Sequence, residues 1–205
     1  MNQVIRYAGG FVWLVAAALI LGCAGPKVER TEVDETIDLS GRWNDTDSRL
    51  VAEEMIHDCL SRPWLKQFKT DHSHKNPVVI VGTVLNRSHE HINTQVFVKN
   101  LERALINSGQ VDFVASKEER KELREEKADQ LEGFTDEATA KSISKETGAD
   151  FMLKGSINSV KDEIKGKYVI LYQTNLELIH LETNKKAWIG EKQIKKYVKR
   201  AQYGL

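Results

Sequence analysis

Hydrophobic and polar positions divide the chain into an apolar N-terminal run, a polar stretch and a series of amphipathic segments. Residues 11–21 (FVWLVAAALIL) are continuously apolar, whereas residues 24–38 are polar and charged, without a periodic apolar face. From residue 48 onward, apolar residues recur at helical or alternating spacing. This pattern predicts a leader, a flexible tether and one folded region.

Apolar residues repeat at helical spacing through residues 48–60, which predicts the first helix of the folded region. Asp45 and Asp47 suit its N-terminus, and Pro63 is expected to end it. The connection that follows contains further apolar residues, which form either a cap on the core or an exposed surface for a partner. They are Trp64, Leu65 and Phe68.

Residues 77–85 (PVVIVGTVL) form a short, nearly continuous β-branched run, which predicts a strand covered on both faces. Asn86, Arg87 and Ser88 are expected to leave it for a loop. Thr94 can cap a helix over residues 95–108 that stops at Gly109, and residues 111–115 predict a second strand. Strand, helix and strand together predict a βαβ unit.

The C-terminal half combines charged helical stretches with alternating strands. Residues 117–132 predict a solvated helix, and a second helix is expected from about Asp136 to Thr147. Strands are predicted over residues 151–157, 168–180 and 186–198, the second with Tyr172, Thr174, Leu176 and Leu178 on one face. The fold class predicted is α/β, a single small mixed β-sheet flanked by helices, in which a β-meander follows the βαβ unit.

The apolar run is followed by Gly22-Cys23, a pattern that is typical of a bacterial lipoprotein cleavage site. The thiol of Cys23 would carry diacylglycerol and its amine an acyl chain, so that the protein is anchored to a membrane without spanning it. The alternative is an ordinary signal peptide, or a short anchor helix, with an incidental cysteine. The predicted organisation is a signal peptide (1–22), a lipidated tether (23–38) and one domain (39–205). Cys59, the remaining thiol, falls within the first helical pattern and is expected in the core.

The charge balance of the chain narrows the classes of function that are possible. With Arg6 removed in the leader, the mature chain carries 29 Lys plus Arg against 30 Asp plus Glu. This balance argues against a nucleic-acid binder held by a general basic field. The basic end could face anionic lipid or glycopeptide, although a solvated last strand is the simpler interpretation. Its residues are Lys192, Lys195, Lys196, Lys199 and Arg200.

Two histidine pairs raise a metal hypothesis, His72 with His74 and His89 with His91. They flank the strand at 77–85, which alone spans roughly 25–30 Å, so one site cannot easily draw on both pairs. The sequence contains no GxSxG, SxxK, P-loop or CxxC motif, and its carboxylates lie in charge runs. We therefore expect no catalytic residues, no metal site and no cofactor besides the lipid.

Five stretches, taken in order, resemble the LpoB-type penicillin-binding-protein activator lipoproteins, and together they cover nearly all of residues 38–195. They are DLSGRWNDTDSR at 38–49, VVIVGTVLNRS at 78–88, NLERALINSGQVDFVAS at 100–116, GADFMLKGSINS at 148–159 and YQTNLELIHLETNKKAWIGE at 172–191.

The resemblance implies a single α/β domain similar to the N-terminal domain of TolB. It also implies an outer-membrane lipoprotein that contacts a bifunctional class A penicillin-binding protein and stimulates glycan polymerisation and peptide crosslinking, without chemistry of its own. Since such an activator need only be monomeric, we expect a monomer. Ala24 after the cysteine, in place of Asp, resembles the pattern that enteric bacteria sort to the outer membrane. The chain departs from the family in its tether, which has 15 residues and contains Pro26 alone, where the enteric activator has a long Pro-rich tether.

Four residues match the family stretches at positions predicted to lie in loops: Arg42, Trp43, Asn86 and Arg87. An interface built on aromatic and Arg anchors would use them to bind the synthase. Each also has a structural interpretation, Trp43 as a lid on the core and Asn86 and Arg87 as turn residues. Exposure of Trp43 would favour the interface. The other hypotheses are a structural envelope lipoprotein in a secretion or flagellar assembly, and a periplasmic metal-binding protein or enzyme.

Overall fold

The computed structural model describes residues 28–32, 35–129 and 148–199. The chain divides into two units, residues 1–35 and residues 36–205. In the first unit, the described residues are exposed and have no regular secondary structure. No helix in the described part of the chain is long and apolar enough to cross a membrane.

The second unit combines four described helices with a five-stranded sheet. The helices are α1 (Asp45–Ser61), α2 (Pro63–Asp71), α3 (Thr94–Asn107) and α4 (Lys117–Asp129). The strands are β1 (Val78–Arg87), β2 (Asp112–Phe113), β3 (Phe151–Ile164), β4 (Lys167–His180) and β5 (Lys186–Lys199).

The sheet order is β2-β1-β3-β4-β5. Strand β1 pairs in parallel with β2 and β3, whereas β3, β4 and β5 pair antiparallel in sequence. The mixed α/β sheet, the βαβ unit and the C-terminal meander are therefore confirmed. The predicted likeness to the TolB domain stays a prediction.

Helix α1 begins with a capping box. The Asn44 side chain accepts a hydrogen bond from the Asp47 backbone N–H at 2.9 Å, and the Asp47 carboxylate accepts one from the Asn44 N–H at 3.0 Å. This reciprocal pair satisfies two helix-terminal donors and starts the helix at Asp45, earlier than the predicted Ser48. The acidic first turn is as predicted.

The sequence pattern predicts only a connection after α1, whereas the structure has the helix α2 there. Pro63 occupies the start of α2, where its missing N–H costs nothing. Leu65 and Phe68 of α2 are buried, and the half-buried Trp64 donates its indole N–H to the Cys59 carbonyl oxygen at 2.7 Å. These apolar residues form a cap on the core, the first of the two interpretations above.

The predicted start of the loop after β1 is also wrong. Asn86 and Arg87 lie in the strand. Parallel pairing with β3 resumes after an irregularity between Val81 and Val84 and continues to Arg87 opposite Asn158. Helix α3 is capped by the Asn93 side chain, which accepts from the Gln95 N–H, and not by Thr94.

Strand lengths in the second half differ from those predicted, while the pattern of faces is confirmed. Strand β2 has two residues where five were expected, and β3 runs to Ile164 because β4 pairs with it throughout. The helix predicted over residues 136–147 lies outside the described residues.

Alternation along β4 assigns its two faces. On the inner face, every residue from Tyr168 to Leu178 is buried: Tyr168, Ile170, Tyr172, Thr174, Leu176 and Leu178. Outer-face residues of β4 are half-buried, and those of β5 from Ile189 onward are exposed. Cys59 is buried in the core on α1, as predicted.

Candidate protein-binding surface

The segment before α1 lies across the ends of β4 and β5. The Tyr168 hydroxyl of β4 donates to the Ser40 carbonyl oxygen at 2.7 Å. Gly41 has a φ of +68°, and a Cβ there would overlap Val198 of β5. A glycine is required because of both its backbone conformation and this close approach. The family stretch at 38–49 therefore has a structural role in docking the chain.

Trp43 is held by three hydrogen bonds within the domain. Its backbone N–H is shared between the Tyr172 hydroxyl at 3.0 Å and the Glu90 carboxylate at 3.3 Å, and its indole N–H donates to Ser48 at 2.6 Å. Tyr172 in turn donates to the same Glu90 oxygen at 2.7 Å. Burial and the hydrogen bond to Glu90 raise the pKa of Tyr172 above its usual range, so the phenol stays a donor.

The Trp43 ring is half-buried and packs edge-on against Phe97 and Tyr172, with centroids 6.2 and 5.5 Å away. Since its N–H groups are all used internally, this geometry favours the lid over a fully exposed anchor. Its remaining exposed edge leaves a contact with a partner as a prediction.

Lys196 of β5 ties the same segment to the sheet from the other side. Its Nζ donates to Asp47 at 2.6 Å, to Asp38 at 2.9 Å and to the Arg42 carbonyl oxygen at 3.0 Å, so each of its three protons has an acceptor. Burial disfavours the charged form, but the hydrogen bonds and charges of Asp47 and Asp38 outweigh it and raise the pKa of Lys196. The expected solvated, basic face of β5 is therefore wrong at this residue.

Asn86 organises the turn that carries Glu90. Its Nδ2 donates to the Glu90 carbonyl oxygen at 2.8 Å, and its Oδ1 accepts from the Ser88 N–H at 2.9 Å. His89 is fixed in the same turn because its backbone N–H donates to the Ser159 hydroxyl at 3.1 Å. The turn-forming interpretation of Asn86 fits these bonds.

Arg42 and Arg87 differ from these residues because both side chains are exposed and make no hydrogen bond or ion pair within the described residues. Arg42 precedes Trp43, and Arg87 lies next to the turn whose Glu90 binds the Trp43 N–H. The structure thus brings together the two stretches that hold the four predicted residues. We call this meeting point, defined by Trp43, Glu90 and Tyr172, the Trp43–Glu90 junction.

The sequence did not reveal Glu90, Tyr172 or Lys196 as parts of this surface. Glu90 lies between the two members of the His89–His91 pair, and alternation places Tyr172 on one face of β4. Their contacts join positions 82, 129 and 149 residues apart, which no local pattern encodes. A buried tyrosine hydroxyl that needs a partner was the available signal.

Within residues 28–32, 35–129 and 148–199, no group of three or more His, Cys, Asp or Glu side chains could hold a metal ion. One histidine of each pair has a structural contact: the His72 ring stacks on Phe68 with centroids 3.9 Å apart, and His89 lies 3.1 Å from the Ser159 hydroxyl. The chemistry that this surface does offer is the pair of exposed guanidinium groups of Arg42 and Arg87. Both project from backbone that is held in place, which suits contact with another macromolecule.

The structure defines an α/β domain with a five-stranded mixed sheet, a docked N-terminal segment and two exposed arginines, Arg42 and Arg87. Residues 47–194 match the family described as peptidoglycan-synthase activator LpoB. The chain belongs to this family of activators. No protein of curated function matches the sequence.

Three solved structures illustrate the similarity. The LpoB C-terminal domain from Escherichia coli has a TM-score of 0.45 and 17% identity, over 72% of this chain and 98% of that one. The NMR structure of E. coli LpoB has a TM-score of 0.40 and 15% identity, over 87% and 84%. Lipoprotein GNA1162 from Neisseria meningitidis has a TM-score of 0.37 and 14% identity, over 63% and 88%.

Proposed function

We propose that the protein is an outer-membrane lipoprotein that binds a bifunctional class A penicillin-binding protein and stimulates its glycan polymerisation and peptide crosslinking. The family match over residues 47–194 carries this proposal. The protein supplies contact and no chemistry, and it needs no cofactor beyond the lipid on Cys23.

The anchor and tether define where this contact takes place. Lipid on Cys23 holds the chain at the membrane. The 15 residues from 24 to 38 reach about 50 Å when fully extended, and a flexible coil of this length averages about 20–23 Å. The synthase must therefore bring its docking domain close to the outer membrane. This geometry differs from that of an activator on a long Pro-rich tether.

We assign the docking surface to Arg42 and Arg87, with the exposed edges of Trp43 and Asn86 beside them. Both arginine side chains are exposed, and both project from backbone that the Trp43–Glu90 junction holds in place. Two guanidiniums on a braced backbone suit an acidic surface on the synthase, since Arg pairs with carboxylates in a fixed fork geometry.

The test measures glycan polymerisation from lipid II by each class A synthase of the same bacterium, with and without the mature lipidated protein in detergent. We expect one synthase to be stimulated, and the double variant Arg42→Glu/Arg87→Glu to need at least about tenfold more protein for the same effect. The matched control is Lys66→Glu, which reverses an exposed charge on α2.

Two results would contradict the proposal. Stimulation that survives the double reversal would remove the docking assignment and leave the activator role. Absence of both binding and stimulation with every synthase would remove that role, and a structural subunit of an envelope assembly would become the leading hypothesis.

A further inference from the structure

Strand β5 is a long edge strand. The sheet order places it at one end of the sheet, and its 14 residues contain no proline. The opposite edge, β2, has two residues. Every second residue of β5 turns its N–H and C=O away from β4, and within the described residues nothing pairs with them. Such an edge is a template for another strand.

Lysines on an edge usually oppose pairing with another chain, but three of those on β5 are neutralised within the domain. Lys186 pairs with Glu177 at 2.7 Å, Lys192 binds Glu54 at 2.7 Å, and Lys196 binds Asp47 at 2.6 Å. The strand therefore presents much less net positive charge than its sequence suggests.

The outer face of β5 carries three charges without a counter-ion in the described part of the chain: Glu191, Lys195 and, at the end of the strand, Lys199. The Glu191 carboxylate accepts from the side-chain amides of Gln173 and Gln193, at 3.0 and 2.7 Å. Lys195 is exposed. Glu191 and Lys195 are four residues apart along an extended strand, about 13 Å, and cannot pair with each other.

The same face carries two large exposed apolar side chains, Ile189 at 62% and Tyr197 at 55% exposure. All of these positions alternate on one face of β5. Four of them are symmetric about Gln193: Glu191 and Lys195 lie two residues away on either side, and Ile189 and Tyr197 lie four residues away.

We infer that two copies of the chain pair through β5, antiparallel, around a two-fold axis at Gln193. This register places Ile189 opposite Tyr197 of the second copy and Glu191 opposite Lys195 of the second copy, and each pair forms twice. Both are cross-strand pairs that stabilise antiparallel sheets. Moving the axis by one residue in either direction would place Ile189 opposite a lysine instead.

The two-fold axis limits the assembly to a dimer, because both chains use the same surface, and the described strands of both copies then form one continuous sheet. A second copy fits this edge better than an acidic peptide does, because an acidic peptide would repel Glu191, whereas Lys195 of a second copy neutralises it. The inference replaces the monomer expected from the sequence, and it does not depend on the proposed synthase.

The first test uses the full-length chain in its native membrane, with cysteine introduced at Gln193. Residues on the axis face each other directly, within the range that a disulfide bridges. Gln193→Cys should therefore give a disulfide-linked dimer under mild oxidation, read on a non-reducing gel. In the controls Ile189→Cys and Tyr197→Cys, the two copies of the cysteine lie about 27 Å apart and should not crosslink. The parent chain controls for the buried Cys59.

The second test reverses charges in the Gln193→Cys background. Glu191→Lys or Lys195→Glu alone opposes like charges at two places, and each should lower the dimer yield about fivefold. The combination Glu191→Lys/Lys195→Glu restores opposite charges and should restore the yield. Any of three results would overturn the inference: no dimer with Gln193→Cys, equal crosslinking at positions 189 and 197, or no rescue by the double reversal.

Discussion

Replacement of Lys196 by Met tests whether the docked N-terminal segment is held by a buried ion cluster. The side chains of Lys196 and Asp47 are each 10% exposed, and the Lys196 ammonium donates to two carboxylates and to the Arg42 carbonyl oxygen. Methionine fills a similar volume but leaves Asp47 and Asp38 without their cation. Removing one partner from a buried ion pair costs about 3–5 kcal/mol, because the remaining charge stays desolvated.

That cost is a large share of the 5–15 kcal/mol that stabilises an ordinary domain. It should lower the midpoint of thermal unfolding by about 10 °C. Urea unfolding, followed by tryptophan fluorescence, gives the free energy directly. Lys199→Met is the matched control: it lies on the same strand, is exposed, and should change stability by less than about 0.5 kcal/mol.

The pH dependence gives an independent check on the same cluster. Because the folded-state pKa of Lys196 is raised, its stabilisation is fully present below the usual lysine pKa of about 10.4 and is lost as pH rises through the folded pKa. The parent protein should therefore lose stability above about pH 10 more steeply than Lys196→Met. A loss below 1 kcal/mol at pH 7, with equal alkaline slopes for both proteins, would refute the reasoning.

Three further predictions concern the core. Tyr172→Phe removes the hydroxyl that bridges Glu90 and the Trp43 N–H, and it should cost about 1–3 kcal/mol in urea unfolding; an unchanged midpoint would contradict the junction. Thr174 is fully buried, and its hydroxyl has no partner among the described residues, so Thr174→Val should stabilise the domain by about 1 kcal/mol in the same assay. Burial raises the pKa of the Cys59 thiol to about 12, so a thiol reagent at pH 8 should react at this residue only when the domain unfolds; rapid labelling of the folded protein would disprove its burial.

The parts of the fold that local pattern determines were predictable from the sequence. Alternation along β4 assigned Tyr172 and Leu176 to the buried face because a strand has a period of two residues. Helical spacing placed Cys59 in the core for the equivalent reason. The nine-residue helix α2 is not predicted by the sequence pattern, because a proline such as Pro63 ends one helix but also favours the start of the next.

The extent of the strands was less predictable, because pairing partners decide it. Asn86 and Arg87 have turn chemistry, yet β3 continues alongside and keeps both residues in the sheet. Strand β3 likewise extends to Ile164 through polar residues, since β4 offers a partner along its whole length. Tertiary pairing overrides local propensity at both places.

The candidate surface shows how structural and functional roles can share one stretch of sequence. Three residues of this stretch make contacts inside the domain. Gly41 packs against Val198, Trp43 takes part in the Trp43–Glu90 junction, and Asp47 binds Lys196. Arg42 lies between them, with its backbone fixed and its side chain free in the described structure. A guanidinium on fixed backbone loses less conformational entropy on binding than one on a mobile loop. Because the residues around Arg42 brace it, variants at Trp43 should weaken partner binding by loosening Arg42 as well as by destabilising the domain. A charge reversal at Arg42 should act on binding alone.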